Sequence, residues 1–200
     1  ALASTAHAQQ TFTWQGGSSI GNYFDISGNW SPSGPPGAPD TARFDLAGTY
    51  DVLWDTITGD TTNARLDVIA CNVTFRVDGG TPRTHTVTDE SVIDGGRLNL
   101  SNLFTLRATT TGYFDITNGG RMDVNAGTTF DAPGARLDLG FASNATQNLM
   151  VVVNGVVNSS GSSIAEGVAS NGRATVNGAN GRRNMTGNLV VGQQGNGALE

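Results

Sequence analysis

Apolar and polar residues alternate in a five-residue unit that recurs along most of the chain. The unit consists of a small residue, any residue, and then an apolar, a polar and an apolar residue. Alternation of this kind is typical of a half-buried strand, with two side chains facing a core and one facing away. Long stretches with apolar residues three and four positions apart, which would predict amphipathic helices, are nearly absent. The clearest copies of the unit are residues 64–68 (ARLDV), 96–100 (GRLNL), 112–116 (GYFDI), 120–124 (GRMDV) and 135–139 (ARLDL).

Strands this short are stable only if similar strands lie above and below them, so that each layer covers the next. The repeat therefore predicts an all-β fold, a parallel β-helix, in which the small residue allows a tight corner where glycine takes a positive φ. A coil of roughly 18 to 25 residues would hold one or two strands, which makes about seven or eight coils. The eight-residue step between residues 112 and 120 would then separate two strands of one coil.

Charge occupies the outward positions of the repeat. Residues two apart on a strand share a face, so arginine and aspartate would form ladders between coils on the side facing water. Each exposed pair would contribute about 0–1 kcal/mol, and the ladders would also fix the register, because a slip of one residue buries charge. A binding surface is the alternative interpretation. The ladder residues are Arg65 and Asp67, Arg97 and Asn99, Arg121 and Asp123, and Arg136 and Asp138.

The N-terminal part of the chain differs from the rest. It holds all three tryptophans, Trp14, Trp30 and Trp54, and five of the six prolines lie between Pro32 and Pro82. A bulky segment of this kind is expected to cap the open end of a solenoid. We therefore expect a leader over residues 1–10, a cap over residues 11–45, and coils over residues 46–200 that continue beyond the last residue.

Composition narrows the possible partners. The chain has a net charge of −6, and this dispersed negative charge argues against nucleic acid or an anionic membrane surface as a partner. It has 28 glycines, and its eleven lysine-plus-arginine residues are all arginine. No apolar run of about 18 residues occurs, so no membrane-spanning helix is expected. The single cysteine, Cys71, forms no intrachain disulfide and is expected to be a small buried hydrophobic residue.

The first ten residues, ALASTAHAQQ, suggest export. Ala6 and Ala8 flank His7 in the small–any–small pattern of a signal-peptide cleavage site. This predicts a protein that is secreted or displayed on the cell surface, and a plain disordered leader is the alternative.

Six further motifs are distinctive: residues 14–17 (WQGG), 28–31 (GNWS), 34–44 (GPPGAPDTARF), 50–52 (YDV), 114–120 (FDITNGG) and 189–199 (LVVGQQGNGAL). In these motifs the chain resembles the N-terminal segment of large secreted bacterial repeat proteins, namely autotransporter-passenger-like β-helix proteins and surface proteins with a C-terminal sorting segment. The resemblance implies a right-handed parallel β-helix that is exported, and it transfers no catalytic residue.

Some β-helices are polysaccharide lyases or hydrolases, and these enzymes carry recognisable catalytic signatures. The motifs Asn-Thr-Asp, Asp-Asp and Gly-His-Gly and the serine-hydrolase elbow are absent. The repeat aspartates Asp67, Asp115, Asp123 and Asp138 could stack, but each is expected to face water. His85 lies in an alternating stretch and is expected at an exposed strand position, and a lone histidine forms neither a triad nor a zinc site. No catalytic, metal or cofactor site is predicted.

The sequence therefore predicts a non-enzymatic extracellular scaffold segment of a bacterial surface protein or autotransporter-like adhesin. The alternative is a β-helix module that binds or degrades polysaccharide as a lyase or hydrolase. The expected partners are carbohydrate or cell-surface ligands, because exposed polar and aromatic side chains along one face suit weak multivalent contact. A passive spacer remains open, as does the identity of any ligand.

Overall fold

The computed structural model of the protein describes residues 9–17, 21–140, 146–166 and 168–200. The predicted cleavage site at Ala6 and Ala8 lies outside these residues and stays a prediction. The strands are β1 (Thr11–Trp14), β2 (Trp30–Ser31), β3 (Thr41–Phe44), β4 (Thr49–Trp54), β5 (Thr61–Asn63), β6 (Arg65–Ile69), β7 (Asn72–Val77), β8 (Arg83–Val87), β9 (Ser91–Asp94), β10 (Arg97–Ser101), β11 (Phe104–Ala108), β12 (Tyr113–Thr117), β13 (Arg121–Val124), β14 (Thr129–Leu139), β15 (Gln147–Val153), β16 (Val156–Ile164), β17 (Asn171–Asn177), β18 (Arg182–Met185), β19 (Leu189–Val191) and β20 (Asn196–Leu199).

These strands wind into a three-sided solenoid of about six turns. The 7-stranded sheet, from β4 to β20, forms one side, and the 13-stranded sheet forms the other two because β14 and β16 each pair with strands on both sides. All strand pairs are parallel except β1 with β2. From β3 onward, register partners in adjacent coils are 21 to 28 residues apart in the chain, with 21 between Arg83 and Phe104 and 28 between Arg121 and Leu149.

The predicted all-β parallel solenoid is confirmed, but the predicted coil count is wrong. A complete coil holds three strands rather than one or two, so the coils are fewer. The third side is formed by β5, β8, β11, β18 and the first halves of β14 and β16. On this side β8, β11 and β14 lack the glycine or alanine that marks the other copies of the repeat, whereas Gly155 and Gly181 precede β16 and β18. As predicted, β12 and β13 are consecutive strands, and they lie in different sheets. No helix in the described part of the chain is long and apolar enough to span a membrane.

The core consists of columns of inward side chains that stack from coil to coil. In one column of the 7-stranded sheet, Val52, Phe75, Leu100, Val124 and Val152 lie in register and all are buried. Burial of apolar surface contributes about 25 cal/mol per Å², so each coil stabilises the one beside it.

The N-terminal end of the solenoid is closed by aromatic side chains. β1 stacks on β3, and β2 pairs with the opposite edge of β1 in antiparallel fashion. Trp14 and Trp30 meet edge to face, with ring centroids 5.0 Å apart. Trp54, assigned to the cap from its sequence position, lies instead on β4 in the first complete coil, where the ring of Phe24 covers it at 4.9 Å.

Glycine at the corner before the 7-stranded sheet is required by close backbone approach. A Cβ on Gly172 would lie 2.8 Å from the carbonyl oxygen of Leu139, and one on Gly197 would lie 2.6 Å from that of Ile164. The positive φ expected at this glycine belongs to the preceding residue at two corners, with 63° at Gly95 and 85° at Gly119. The repeat thus predicts the position of the corner correctly, but the left-handed residue lies one position earlier than expected.

Replacing Gly120 with alanine is therefore expected to destabilise the protein by about 1–3 kcal/mol, as overpacking typically does. The new Cβ would collide with the carbonyl oxygen of Ile93, which belongs to the strand stacked on this corner. Gly80 is the matched control, because a Cβ there meets no atom within 4 Å and its φ is not positive. Chemical denaturation of both variants checks the prediction, and equal stabilities for Gly120→Ala and Gly80→Ala would contradict it.

Candidate functional site

The outer face of the 13-stranded sheet carries a polar groove near the capped end. Its volume is about 350 Å³, and it crosses β1, β3 and β6. Two columns of register partners form its floor, Thr11–Thr41–Arg65 and Thr13–Arg43–Asp67. The residues that line the groove are Gln9, Thr11, Thr41, Arg43, Arg65 and Asp67.

Asp67 accepts hydrogen bonds from both arginines of this groove. Arg65, two residues earlier on the same strand, donates from Nε to Asp67 Oδ1 at 2.5 Å. Arg43, from the preceding coil, donates from Nη2 to Asp67 Oδ2 at 3.2 Å. The Asp67 side chain is 4% exposed, whereas those of Arg43 and Arg65 are 39% and 42% exposed. Among the residues that line the groove, two guanidinium groups thus share one carboxylate, and beyond them Asp115 lies close enough to Arg65 for the two charges to interact.

Gln9 forms the N-terminal wall of the groove and contacts Thr41 in its floor. The Gln9 amide donates to Thr41 Oγ1 at 3.4 Å, and the backbone N–H of Thr41 donates to the Gln10 carbonyl at 2.8 Å. Asp40 holds this segment against the coil by accepting from the Gln10 N–H at 3.1 Å. Hydroxyl and amide groups therefore lie beside the guanidinium groups.

The predicted ladder residues divide between the two sheets. Arg65, Asp67, Arg136 and Asp138 lie on the 13-stranded sheet, and Arg97, Asn99, Arg121 and Asp123 lie on the 7-stranded sheet. On the smaller sheet Asp123 accepts from Arg121 of its own strand and from Arg97 of the neighbouring coil, at 2.7 Å and 2.5 Å. Asn99 accepts instead from Asn125, one coil further along.

The expectation that the repeat aspartates face water is wrong for three of the four. Asp67, Asp123 and Asp138 are 3%, 4% and 0% exposed. They lie on the outer side of their strands, as the alternation predicts, but arginine side chains bond to them and shield them from solvent. Ion pairs with one buried partner are costly to break from one side, because the remaining charge is left unpaired.

Asp115 and Asp138 are register partners on β12 and the second half of β14. Burial and the neighbouring Asp138 carboxylate raise the pKa of Asp115 to about 6, and burial also raises the pKa of Asp138. One oxygen of each is buried without a hydrogen-bond partner in the described part of the chain, Oδ1 of Asp115 and Oδ2 of Asp138. Two adjacent carboxyl groups cannot both ionise easily, so this pair favours retention of a proton.

Asp138 is held in place from two sides. It accepts from Arg136 Nε at 2.9 Å and from both the N–H and the hydroxyl of Ser163, at 3.0 Å and 2.6 Å. Arg136 also pairs with Glu166, and its guanidinium carbon lies 5.9 Å from the ring centroid of Tyr113. Because Asp138 is fully buried and bonded in this way, we interpret the Asp115–Asp138 pair as part of the structural framework of the coils.

His85 contradicts the expectation of an exposed strand position, because it is completely buried. Its ring lies 5.1 Å from Phe24 and 5.6 Å from Trp54, measured between centroids, and Nδ1 is 2.7 Å from Thr61 Oγ1. Burial lowers the pKa of His85 to about 3. The alternation of the strand could have predicted this burial. His85 and the buried Val87 are two residues apart on β8, so their side chains lie on the same face.

Cys71 is buried, as expected, and its thiol donates to the Phe44 carbonyl at 3.2 Å. No group of three or more histidine, cysteine, aspartate or glutamate side chains among residues 9–17, 21–140, 146–166 and 168–200 is arranged to hold a metal ion. No known family model, curated protein or solved structure matches the chain.

Proposed function

We propose that the chain is a non-enzymatic scaffold segment of an exported surface protein of the adhesin type. The observation that carries this proposal is the continuous stacking of about six similar coils, each contacting mainly its neighbours. Each coil lengthens such a solenoid by about 4.8 Å, the spacing of paired strands, so the length of the solenoid increases in proportion to the number of coils.

The placement of the carboxyl groups supports a non-enzymatic role. A glycosidase needs two carboxyl groups that both reach the sugar, one on each side of the scissile bond. Asp138 is fully buried and bonded to Arg136 and Ser163, so it does not reach a ligand. Asp67 and Asp123 are each covered by two arginines. These contacts explain the carboxyl groups through the stability and register of the coils.

A deletion of one complete coil tests the scaffold role. Arg97 and Arg121 are register partners, so removing residues 97–120 joins Gly96 to Arg121 and takes out one full turn. A scaffold is expected to remain folded and to become shorter by about 5 Å, one strand spacing, in small-angle X-ray scattering. Removing residues 97–108 is the control, because it deletes two of the three sides of a coil and should prevent folding.

The functional half of the proposal has its own test. Purified wild-type chain should release no product from a panel of neutral and acidic polysaccharides, and antibodies raised against it should label intact cells of the organism that produces it. Turnover of any polysaccharide by the wild type would overturn the non-enzymatic role, provided that a control variant such as Ile57→Ala shows the same turnover. Labelling only after the cells are lysed would overturn the surface location.

A further inference from the structure

The polar groove of Gln9, Thr11, Thr41, Arg43, Arg65 and Asp67 has the composition of a ligand site. Every lining residue is polar or charged, so an apolar ligand would gain nothing there and would strip water from the groove. Its volume of about 350 Å³ lies near the lower end of the range of about 300–1,000 Å³ for small-molecule sites. The groove therefore suits a small, strongly hydrogen-bonding ligand.

The charges of the groove indicate the sign of that ligand. Arg43 and Arg65 converge on the single carboxylate of Asp67. Arg65 uses its Nε for Asp67, so its two terminal nitrogens are not engaged in that ion pair. Nε of Arg43 is buried and has no partner within the described ranges. Planar guanidinium groups bind carboxylates through paired hydrogen bonds, so the donor nitrogens that the Asp67 ion pairs leave over favour a carboxylate ligand.

The neutral groups of the groove indicate the body of the ligand. Thr11 is exposed at one end of a floor column, Thr41 follows it in that column, and the Gln9 amide lies in the adjoining wall. Hydroxyl and amide groups donate and accept, which matches the hydroxyl groups of a sugar ring better than an inorganic anion or an acidic peptide.

We propose that this groove binds a uronate-bearing saccharide, with its carboxylate between Arg43 and Arg65 and its hydroxyl groups against Gln9, Thr11 and Thr41. This site goes beyond the scaffold role, which stands whether or not the groove is occupied. It would place a weak acidic-glycan contact beside the capped end of the solenoid, where repeated copies of the protein on one surface would act together.

The probe for this site is digalacturonate, with its neutral methyl ester and inorganic phosphate as comparison ligands, in calorimetric or NMR titrations of the whole chain. We expect saturable binding of digalacturonate and at least about tenfold weaker binding of the ester and of phosphate, because each lacks half of the recognised chemistry. Arg65→Gln is expected to weaken digalacturonate binding by about tenfold or more, since it removes a charge-assisted contact.

Arg97→Gln is the matched control, because it removes the same charge from an equivalent two-arginine cluster around Asp123 on the other sheet. It should leave digalacturonate binding unchanged. Thr11→Ala changes an exposed residue outside the ion pairs, and it should weaken binding about threefold or more through a lost hydrogen bond even if Arg65→Gln fails to fold.

The proposal would be overturned if the wild type were not saturated at about 10 mM digalacturonate, because even weak specific sites bind more tightly than that. It would also be overturned if the methyl ester or phosphate bound as tightly as digalacturonate. The same loss of binding in Arg97→Gln as in Arg65→Gln would be a fourth contrary result. None of these results depends on polysaccharide turnover or on where the protein lies in the cell, so they leave the scaffold proposal untouched.

Discussion

Truncation of Trp54 to alanine is expected to lower the free energy of unfolding by about 3–5 kcal/mol, the usual range for a buried tryptophan. Trp54 is 0% exposed, and its ring lies 4.9 Å from Phe24, 5.0 Å from Phe75 and 4.6 Å from Phe104 between centroids. Its Nε1 also donates to Thr61 Oγ1 at 2.8 Å. The side chain therefore joins the segment over the solenoid end to three successive coils.

Ile57 provides the matched control for Trp54. It follows Trp54 by three residues and is 85% exposed, so Ile57→Ala should change stability by less than about 0.5 kcal/mol. Trp54→Phe should recover most of the loss, because it keeps an aromatic ring in the stack and gives up only the bond to Thr61. Chemical denaturation followed by circular dichroism gives all three values. If Trp54→Ala costs no more than Ile57→Ala, the aromatic stack does not stabilise this end of the solenoid.

The location of this tryptophan shows what the sequence could and could not predict. Alternation along β4 predicts that Val52 and Trp54 face one side, and both are buried. The sequence did not reveal that Trp54 lies within a complete coil, because coil membership depends on which distant strands pair with β4. The coil length was underestimated for the same reason: β5 and β8 place Thr61 and His85 at inward positions and lack the repeat signature.

The candidate groove was predictable only in part. The alternation correctly assigns Arg65 and Asp67 to the outer side of β6, and the i and i+2 spacing brings them together. Arg43 was not among the predicted ladder residues, because its contact with Asp67 requires the register between β3 and β6. The burial of Asp67 follows from that same contact, since the two arginines together shield the carboxylate. Short-range patterns specify the face of a strand, and the neighbouring coil determines what lies there.

The contribution of His85 to the free energy of unfolding is expected to fall by about 3 kcal/mol between pH 7 and pH 4. Burial among aromatic rings lowers its pKa to about 3, below the ordinary value of 6.5. Below pH 6.5 the unfolded chain therefore binds a proton that the folded protein does not accept. Stability that is fully present above pH 6.5 is lost progressively as the pH falls toward 3.

Asp115 acts in the opposite direction over part of the same range. Its pKa is raised to about 6 in the folded protein, above the ordinary 3.8, so the folded state takes up this proton first as the pH falls. The gain from Asp115 appears between about pH 6 and pH 4 and offsets part of the loss from His85. The combined contribution of His85 and Asp115 to stability therefore changes less over this range than the contribution of either group alone.

A comparison with His85→Asn separates the two groups, because the variant keeps Asp115 and has no imidazole to titrate. Its amide can occupy the place of Nδ1 beside Thr61, which bonds that nitrogen at 2.7 Å. The stability of the wild type relative to the variant, measured by denaturant unfolding at each pH, should fall by about 3 kcal/mol from pH 7 to pH 4. The imidazole resonances of His85 should stay those of the neutral ring throughout this range. A difference that does not change with pH, or a ring that titrates near pH 6.5, would mean that solvent reaches His85 and that the aromatic interior around it is open.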